Sequence, residues 1–260
     1  MTNSNDSSNT DHPERPVGTG GRGSVCPLCG GAGFLSRDVP LGHPEFGKIL
    51  PCSCQTPRLE AARLADLRTM SNLEATSRYT VGAFRPEGAG LTEEMRQNLR
   101  KAYETARAFA VEPAGWLLFL GGYGCGKTHL AAAIANEQLA CGRGVLFVVV
   151  PDLLDHLRAT FSPSSNVSYD HRFDEIRTAP FLVLDDLGAQ SASPWAKEKL
   201  HQLFNYRYNA ELPTVLTVAV DMLESIDERL RVRLQDERIC TICIITAPAF
   251  HGGRSKKTRK

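Results

Sequence analysis

The stretch GGYGCGKTHL, residues 121–130, follows directly on the apolar run WLLFL. Gly121, then four residues, then Gly126, Lys127 and Thr128 have the spacing of a phosphate-binding loop, in which glycines let backbone N–H groups turn inward around phosphates. In such a loop Lys127 reaches the β- and γ-phosphates of ATP and the Thr128 hydroxyl ligates Mg2+. The cradle comprises Gly121, Gly122, Tyr123, Gly124, Cys125, Gly126, Lys127, Thr128 and His129, and the N-terminus of the helix that follows adds partial positive charge. Cys125 contributes a backbone N–H to it and not its thiol. The competing reading is a glycine-rich strand-to-helix turn with an incidental lysine.

A phosphate loop needs an acidic partner at the end of another buried strand, and FLVLDDLG supplies one. Asp185 is placed to hold the hydrated magnesium, and Asp186 to orient or polarise the attacking water. Adjacent aspartates after an apolar run also occur as a helix cap beside a solvent-exposed acid.

A second chemistry sits near the N-terminus. Four of the eight cysteines, Cys26, Cys29, Cys52 and Cys54, fall in CPLCGGAGFLSRDVPLGHPEFGKILPCSC, a CxxC followed by a CxC. Thiolates at these spacings can converge on one tetrahedral Zn2+ when a glycine-rich turn aims backbone N–H groups at the sulfurs. An unligated reduced cluster and a redox pair are the alternatives. His43, beside Pro44, reads as a surface histidine more than a substitute ligand. A segment of this length cannot bury enough to fold alone, so the metal would be structural. Cys240 and Cys243, three apart in ICTICIIT, read as small core hydrophobes on opposite faces of a strand.

The elements that must position these groups follow from the patterning. Residues 1–24, rich in Ser, Asn, Thr and Gly, read as a disordered tail; 25–56 as a zinc-binding module; 57–78 as a connector helix with Leu59, Leu64 and Leu67 at helical spacing; 251–260 as a basic tail. Residues 79–250 carry the ATPase chemistry. There LTEEMRQNLRKAYETARAFAVE opens on a threonine cap and reads as one amphipathic helix. Beyond it the apolar runs WLLFL, VLFVVV, FLVLDD, TVLTVAV and ICTICIIT alternate with helical patterns in DLLDHLRATF, YDHRFDEIR, PWAKEKLHQLFNYRYN and LESIDERLRVRL. Uniformly apolar strands separated by helices predict an α/β fold: a parallel five-stranded sheet with helices on both faces.

The formal net charge is only +1, so attraction to nucleic acid must come from local patches such as GRSKKTRK rather than from the whole chain. No run is long and apolar enough to cross a bilayer, and the N-terminus has no signal-peptide core. A cytoplasmic protein with no membrane partner is the expectation.

From WLLFLGGYGCGKTHLAAAIANE through FLVLDDLGAQ, PWAKEKLHQLFNYRYNAELPTV and ERLRVRL, the chain resembles the AAA+ ATPases of the DnaC/DnaI helicase-loader and IstB transposition-helper group, over about residues 75 to 250. The phosphate loop alone marks a large superfamily; NYRYNAELPTV and the two-arginine helix narrow it. The resemblance implies an AAA+ P-loop NTPase that forms homo-oligomers, sits on a replicative DNA helicase or a transposase, and touches single-stranded DNA. It also implies that one subunit's arginine completes the neighbour's site, because a cation at the γ-phosphate stabilises charge there only once the oligomer has formed. Arg233 resembles that trans-acting arginine, with Arg229 one turn earlier on the same helix face; a solvated basic face is the alternative. Some relatives also carry a Cys-rich zinc module ahead of the ATPase, where it engages the helicase.

Two departures stand out. The polar sensor, typically Asn, at the end of the fourth strand is replaced by Ala219, leaving Thr217 as the nearest polar candidate. For the second sensor, PAFHGGR offers His251 or Arg254. Hydrolysis is then expected to be slow or partner-dependent. Three functions follow: an ATP-dependent helicase loader, which the zinc module favours; an IstB-like helper of a transposase; and an ATP-binding DNA adaptor with negligible turnover. A small-molecule kinase fits less well, because LDD and the arginine helix point to AAA+ architecture and no substrate-binding insertion is evident.

Overall fold

The computed structural model describes residues 25–87, 90–160, 169–189 and 193–250, with the side chains at 63, 64, 67 and 68 outside that description. The expected tails at 1–24 and 251–260, the sensor candidates His251 and Arg254, and the side chains of Leu64 and Leu67 therefore lie outside the described residues. The chain divides between Arg63 and Leu64 into two compact units.

In the first unit β1 (Phe34–Ser36) pairs antiparallel with β2 (Ile49–Pro51), with Leu35 opposite Leu50. The sequence reading did not anticipate this ribbon, because three-residue strands have too little pattern to register. The division point falls within α1 (Thr56–Met70). The connector is not one helix to residue 78: it breaks after Met70 and resumes as α2 (Leu73–Thr76). The break has a cause in the sheet. The Phe147 N–H donates to Ser71 Oγ at 3.0 Å, and the Phe147 carbonyl accepts the Asn72 N–H at 2.9 Å, so residues 71–72 are held on a sheet edge.

The second unit is built on a five-stranded parallel sheet. Its strands are β3 (Trp116–Gly121), β4 (Val145–Val149), β5 (Phe181–Leu187), β6 (Thr214–Ala219) and β7 (Cys240–Ile245), in the spatial order β4-β5-β6-β3-β7. Alternate residues feed two separate cores. Trp116 and Leu118 pack with α5 (Val150–Ala159), α6 (Tyr169–Arg177), α7 (Pro194–Asn209) and α8 (Glu228–Leu234), whereas Leu117 and Phe119 pack with α3 (Glu93–Val111) and α4 (Lys127–Ala140). That is the expected parallel sheet with helices on both faces. Cys240 and Cys243 fall one in each core, as their spacing predicts.

The Thr92 cap is present, its side chain accepting the Met95 N–H at 3.3 Å. At the other sheet edge, Asn98 of α3 donates to the Ile244 carbonyl at 2.8 Å and accepts the Thr246 N–H at 2.9 Å, which blunts β7 as a docking edge. Two boundaries differ from the sequence reading. Val150 opens α5 instead of ending β4, because Pro151 suits a first helical turn. LESIDERLRVRL is not one helix: a 3-10 turn over Val220–Ser225 ends at extended, buried Ile226, and Asp227 then caps α8 by accepting the Arg229 N–H at 3.0 Å. The cap places Arg229 in the first turn and Arg233 in the last.

Arg207, central to the NYRYN segment, is fully buried and donates to the carbonyls of Ala179 (2.8 Å), Pro213 (2.7 Å) and Arg177 (3.2 Å) and to Thr214 Oγ1 (2.9 Å). It ties the loop before β5 to the start of β6. Burial pushes its guanidinium down to about 9, still charged at neutral pH.

Candidate functional site

The spatial order places β6 between β3, which delivers the phosphate loop, and β5, which delivers the aspartates. Between β3 and α4 the chain turns on Gly124 (φ 71°) and Gly126 (φ 109°). At Gly126 a Cβ would also stand 2.9 Å from Phe84 Cε2, so both the backbone conformation and the space require glycine. Lys127 is only 5% exposed, and its Nζ donates to the carbonyls of Gly121 (3.0 Å) and Gly122 (2.7 Å). The ammonium is thus held at the loop that would wrap the phosphates. Cys125 is buried in the core, its thiol beside Gly121.

A cleft of about 600 Å³ opens on this loop, lined by Tyr79, Phe84, Tyr123 through His129, Asp186 and the Ala247–Phe250 segment. His129 joins an aromatic wall: its ring lies 4.9 Å from Tyr79 and 5.4 Å from Phe84, and Nε2 is 3.1 Å from the Thr80 carbonyl oxygen. Tyr79 and Phe84 were not among the sequence candidates. Their signal was two aromatic residues in the otherwise turn-rich YTVGAFRPEG.

Asp185 is 3% exposed. Its carboxylate lies 3.0 Å from Thr128 Oγ1 through either oxygen, and Oδ1 accepts the Thr217 hydroxyl at 2.6 Å. Burial raises the Asp185 carboxyl above the ordinary carboxylate range, while the hydrogen bonds from Thr217 and Thr128 oppose that shift. The next residue, Asp186, adopts φ 55° where the β5–β6 register shifts between Leu184 and Leu187. A bulge of this kind re-aims a side chain, and here consecutive aspartates serve different surroundings: Asp185 inside, Asp186 on the cleft.

Thr217, the nearest polar candidate for the sensor, contacts both aspartates. Its one proton goes to Asp185, and its oxygen accepts the Asp186 N–H at 3.0 Å. It braces β6 to β5 and is not among the residues lining the cleft. Ala219 pairs in register with Gly121 and is buried.

The two arginines of α8 differ in their partners. Arg229 pairs with Asp227 at 3.0 Å within its own turn. Arg233 donates to Asn205 Oδ1 of α7 at 2.7 Å and to the Arg229 carbonyl at 3.1 Å, and its guanidinium lies over the Tyr208 ring at 5.6 Å.

In the first unit the sulfurs of Cys26, Cys29, Cys52 and Cys54 all lie within 4.8 Å of one another. Cys26 and Cys52 are 3.8 Å apart, and Cys29 and Cys54 3.5 Å. Tetrahedral zinc with Zn–S bonds of about 2.3 Å needs sulfurs about 3.8 Å apart, so the donor set fits that ion. The Gly33 N–H donates to Cys29 Sγ at 3.2 Å and is the main reason that thiol is lowered to about 7. The Cys29 N–H does the same for Cys26 in direction. The ribbon β1–β2 and the CxxC turn, with Gly30, Gly31 and Gly33 at positive φ, bring the two cysteine pairs together. His43 stands outside the four-sulfur group, its Nδ1 accepting the Glu45 N–H.

A family model described as IstB-like ATP binding protein matches residues 91–241. Replicative helicase loader DnaC of Buchnera aphidicola subsp. Schizaphis graminum is 30% identical over 143 residues, 54% of this chain and 56% of that protein. The protein of the same name from Escherichia coli K12 is 32% identical over 138 residues, covering 53% and 55%. The chain thus spans little more than half the length of these curated relatives. A crystal structure of the DnaC helicase loader superposes with a TM-score of 0.55 at 22% identity, over 66% of this chain and 98% of that one, which is a likeness of fold.

Proposed function

The chain belongs to the IstB-like ATP binding protein family, and on that premise we propose that it is an ATP-hydrolysing loader of a replicative DNA helicase that works as a homo-oligomer on single-stranded DNA. One observation carries the ATPase reading: Thr128 of the phosphate loop lies 3.0 Å from the buried carboxylate of Asp185, with Asp186 lining the same cleft. In this reading Lys127 releases its loop carbonyls to take the β- and γ-phosphates, and the Tyr79–Phe84–His129 wall offers aromatic surface to a purine base. Thr128 and Asp185 would hold Mg2+, whose chemistry there is neutralisation of phosphate charge. Asp186 orients the attacking water. Arg233 serves the neighbouring subunit's nucleotide, and Arg229, tied to Asp227, supports it.

The helicase as partner rests on the names of the relatives and on the four-cysteine module, which we assign to zinc and to gripping the helicase. The boundaries 25–56, 57–78 and 79–250 belong to the same proposal. Ala219 favours slow turnover, because no polar side chain replaces the usual sensor at that strand end. The IstB-like description keeps a transposase as the second partner to test.

The test is co-purification of the full chain with candidate replicative helicases and transposases, together with ATP hydrolysis in the presence of single-stranded DNA and the captured partner. Retention by a helicase, lost when Met1 to Thr56 is removed, and turnover well above that of Lys127→Ala are expected. Turnover equal to that of Lys127→Ala would refute the ATPase, and retention by a transposase alone would move the chain to the other partner class.

A further inference from the structure

Arg233 is held in a way that Arg229 is not. Among the described residues the groups that contact its guanidinium are neutral: Asn205 Oδ1 at 2.7 Å, the Arg229 carbonyl at 3.1 Å and the face of Tyr208 at 5.6 Å. Among the described residues the ion pairs do not include Arg233, whereas Arg229 shares its charge with Asp227. Tyr208 is itself fixed. Its hydroxyl bonds Asp236, whose carboxylate takes Arg238 at 2.8 Å. Asn205 and Tyr208 are three apart on α7, so both reach the same neighbouring helix, while Arg207 between them points into the core.

Such an arrangement has a specific physical consequence. A long cationic side chain loses rotamer entropy when it is ordered, and a carboxylate partner would order it only by cancelling much of its charge. An amide oxygen and an aromatic face order the guanidinium and leave its charge to act on something else. We propose that Asn205, supported by Tyr208, is a positioning residue: a neutral clamp that preorganises Arg233 for the phosphates of an adjoining subunit. This inference rests on the reading of Arg233 as a trans-acting arginine, and it adds a residue whose effect is exerted only through Arg233. The entropy of ordering Arg233 is then met on folding and not in the transition state.

The experiment compares the full chain with Asn205→Ala, Arg233→Ala and the double variant. It measures steady-state ATP hydrolysis with Mg2+ and single-stranded DNA, and rotation about the Arg233 Nε–Cζ bond by side-chain NMR. Alanine is tolerated on a helix surface, and an unchanged melting temperature checks the fold. Asn205→Ala is expected to lower kcat by about tenfold to a hundredfold, the scale of a misplaced catalytic group, with KM for ATP within about twofold. It should have no further effect in the Arg233→Ala background, and guanidinium rotation should change from hindered to fast. If Arg233→Ala loses turnover while Asn205→Ala keeps it, the clamp is refuted and the trans-arginine reading stands. An equal loss from Asn205→Ala with and without Arg233 refutes it too, as does fast rotation in the wild-type chain, a result that needs no turnover. Wild-type kcat in Arg233→Ala would remove the trans-arginine reading and the clamp with it.

Discussion

Thr217 donates to Asp185 Oδ1 at 2.6 Å and accepts the Asp186 N–H at 3.0 Å, so one hydroxyl on β6 fixes two consecutive aspartates of β5. The buried carboxylate gains a partner, and the left-handed turn at Asp186 is held by the same atom. Thr217→Val keeps the shape and removes both bonds. It should destabilise the fold by about 1–3 kcal/mol, the cost of leaving buried polar groups unpaired, and should weaken Mg2+-dependent ATP binding through a misplaced Asp185. Denaturant unfolding and nucleotide titration measure the two effects. A change below about 0.5 kcal/mol, typical of a neutral surface site, would contradict the brace.

Arg207 predicts a larger loss. Its guanidinium satisfies three carbonyls and a hydroxyl in the interior, so Arg207→Met would leave those acceptors dry while filling much of the space. Unfolding free energy should fall by about 3 kcal/mol or more. The loss should appear as a lower denaturant midpoint with an unchanged slope, since the unfolding event remains the same.

These two residues mark the limit of what the sequence made legible. The five strands, most of the helices and the phosphate loop follow from runs of apolar residues and one spaced motif, signals that local chemistry imposes on a single stretch of chain. The break at Ser71–Asn72 does not, because its cause is the edge of a strand 76 residues away. The roles of Thr217 and Asn205 were hidden for the same reason: an isolated polar residue in a strand or helix has no meaning until its partner on another element is known. Asp227 is the opposite case. Its power to cap a helix is local, but the apolar spacing through Leu223, Ile226 and Leu230 masked it.

The cysteine module should carry about one zinc per chain by metal analysis, falling well below that in Cys29→Ser. Chelation should raise hydrogen exchange across residues 26–55 and leave β3 and β5 protected, because the four sulfurs lie in one unit and the sheet in the other. Equal metal in wild type and variant would remove zinc from these residues.

Cys240 and Cys243 give a prediction in pH. Burial pushes the Cys240 thiol up to about 12 and Cys243 up to about 11, against about 8.5 for an exposed cysteine. Raised native values mean that the folded state favours the protonated thiols. Their contribution to stability is therefore complete below about pH 8.5 and is lost as pH rises toward 11 and 12. Unfolding free energy should decline with pH above about 8.5, and the decline should shrink in a Cys240→Ala/Cys243→Ala protein compared with its own neutral-pH value. At pH 8 the exposed Cys141 should alkylate readily, while the two core thiols react only on unfolding. Native-state labelling of Cys240 at the rate of Cys141 would show that β7 opens far more easily than its packing into both cores allows.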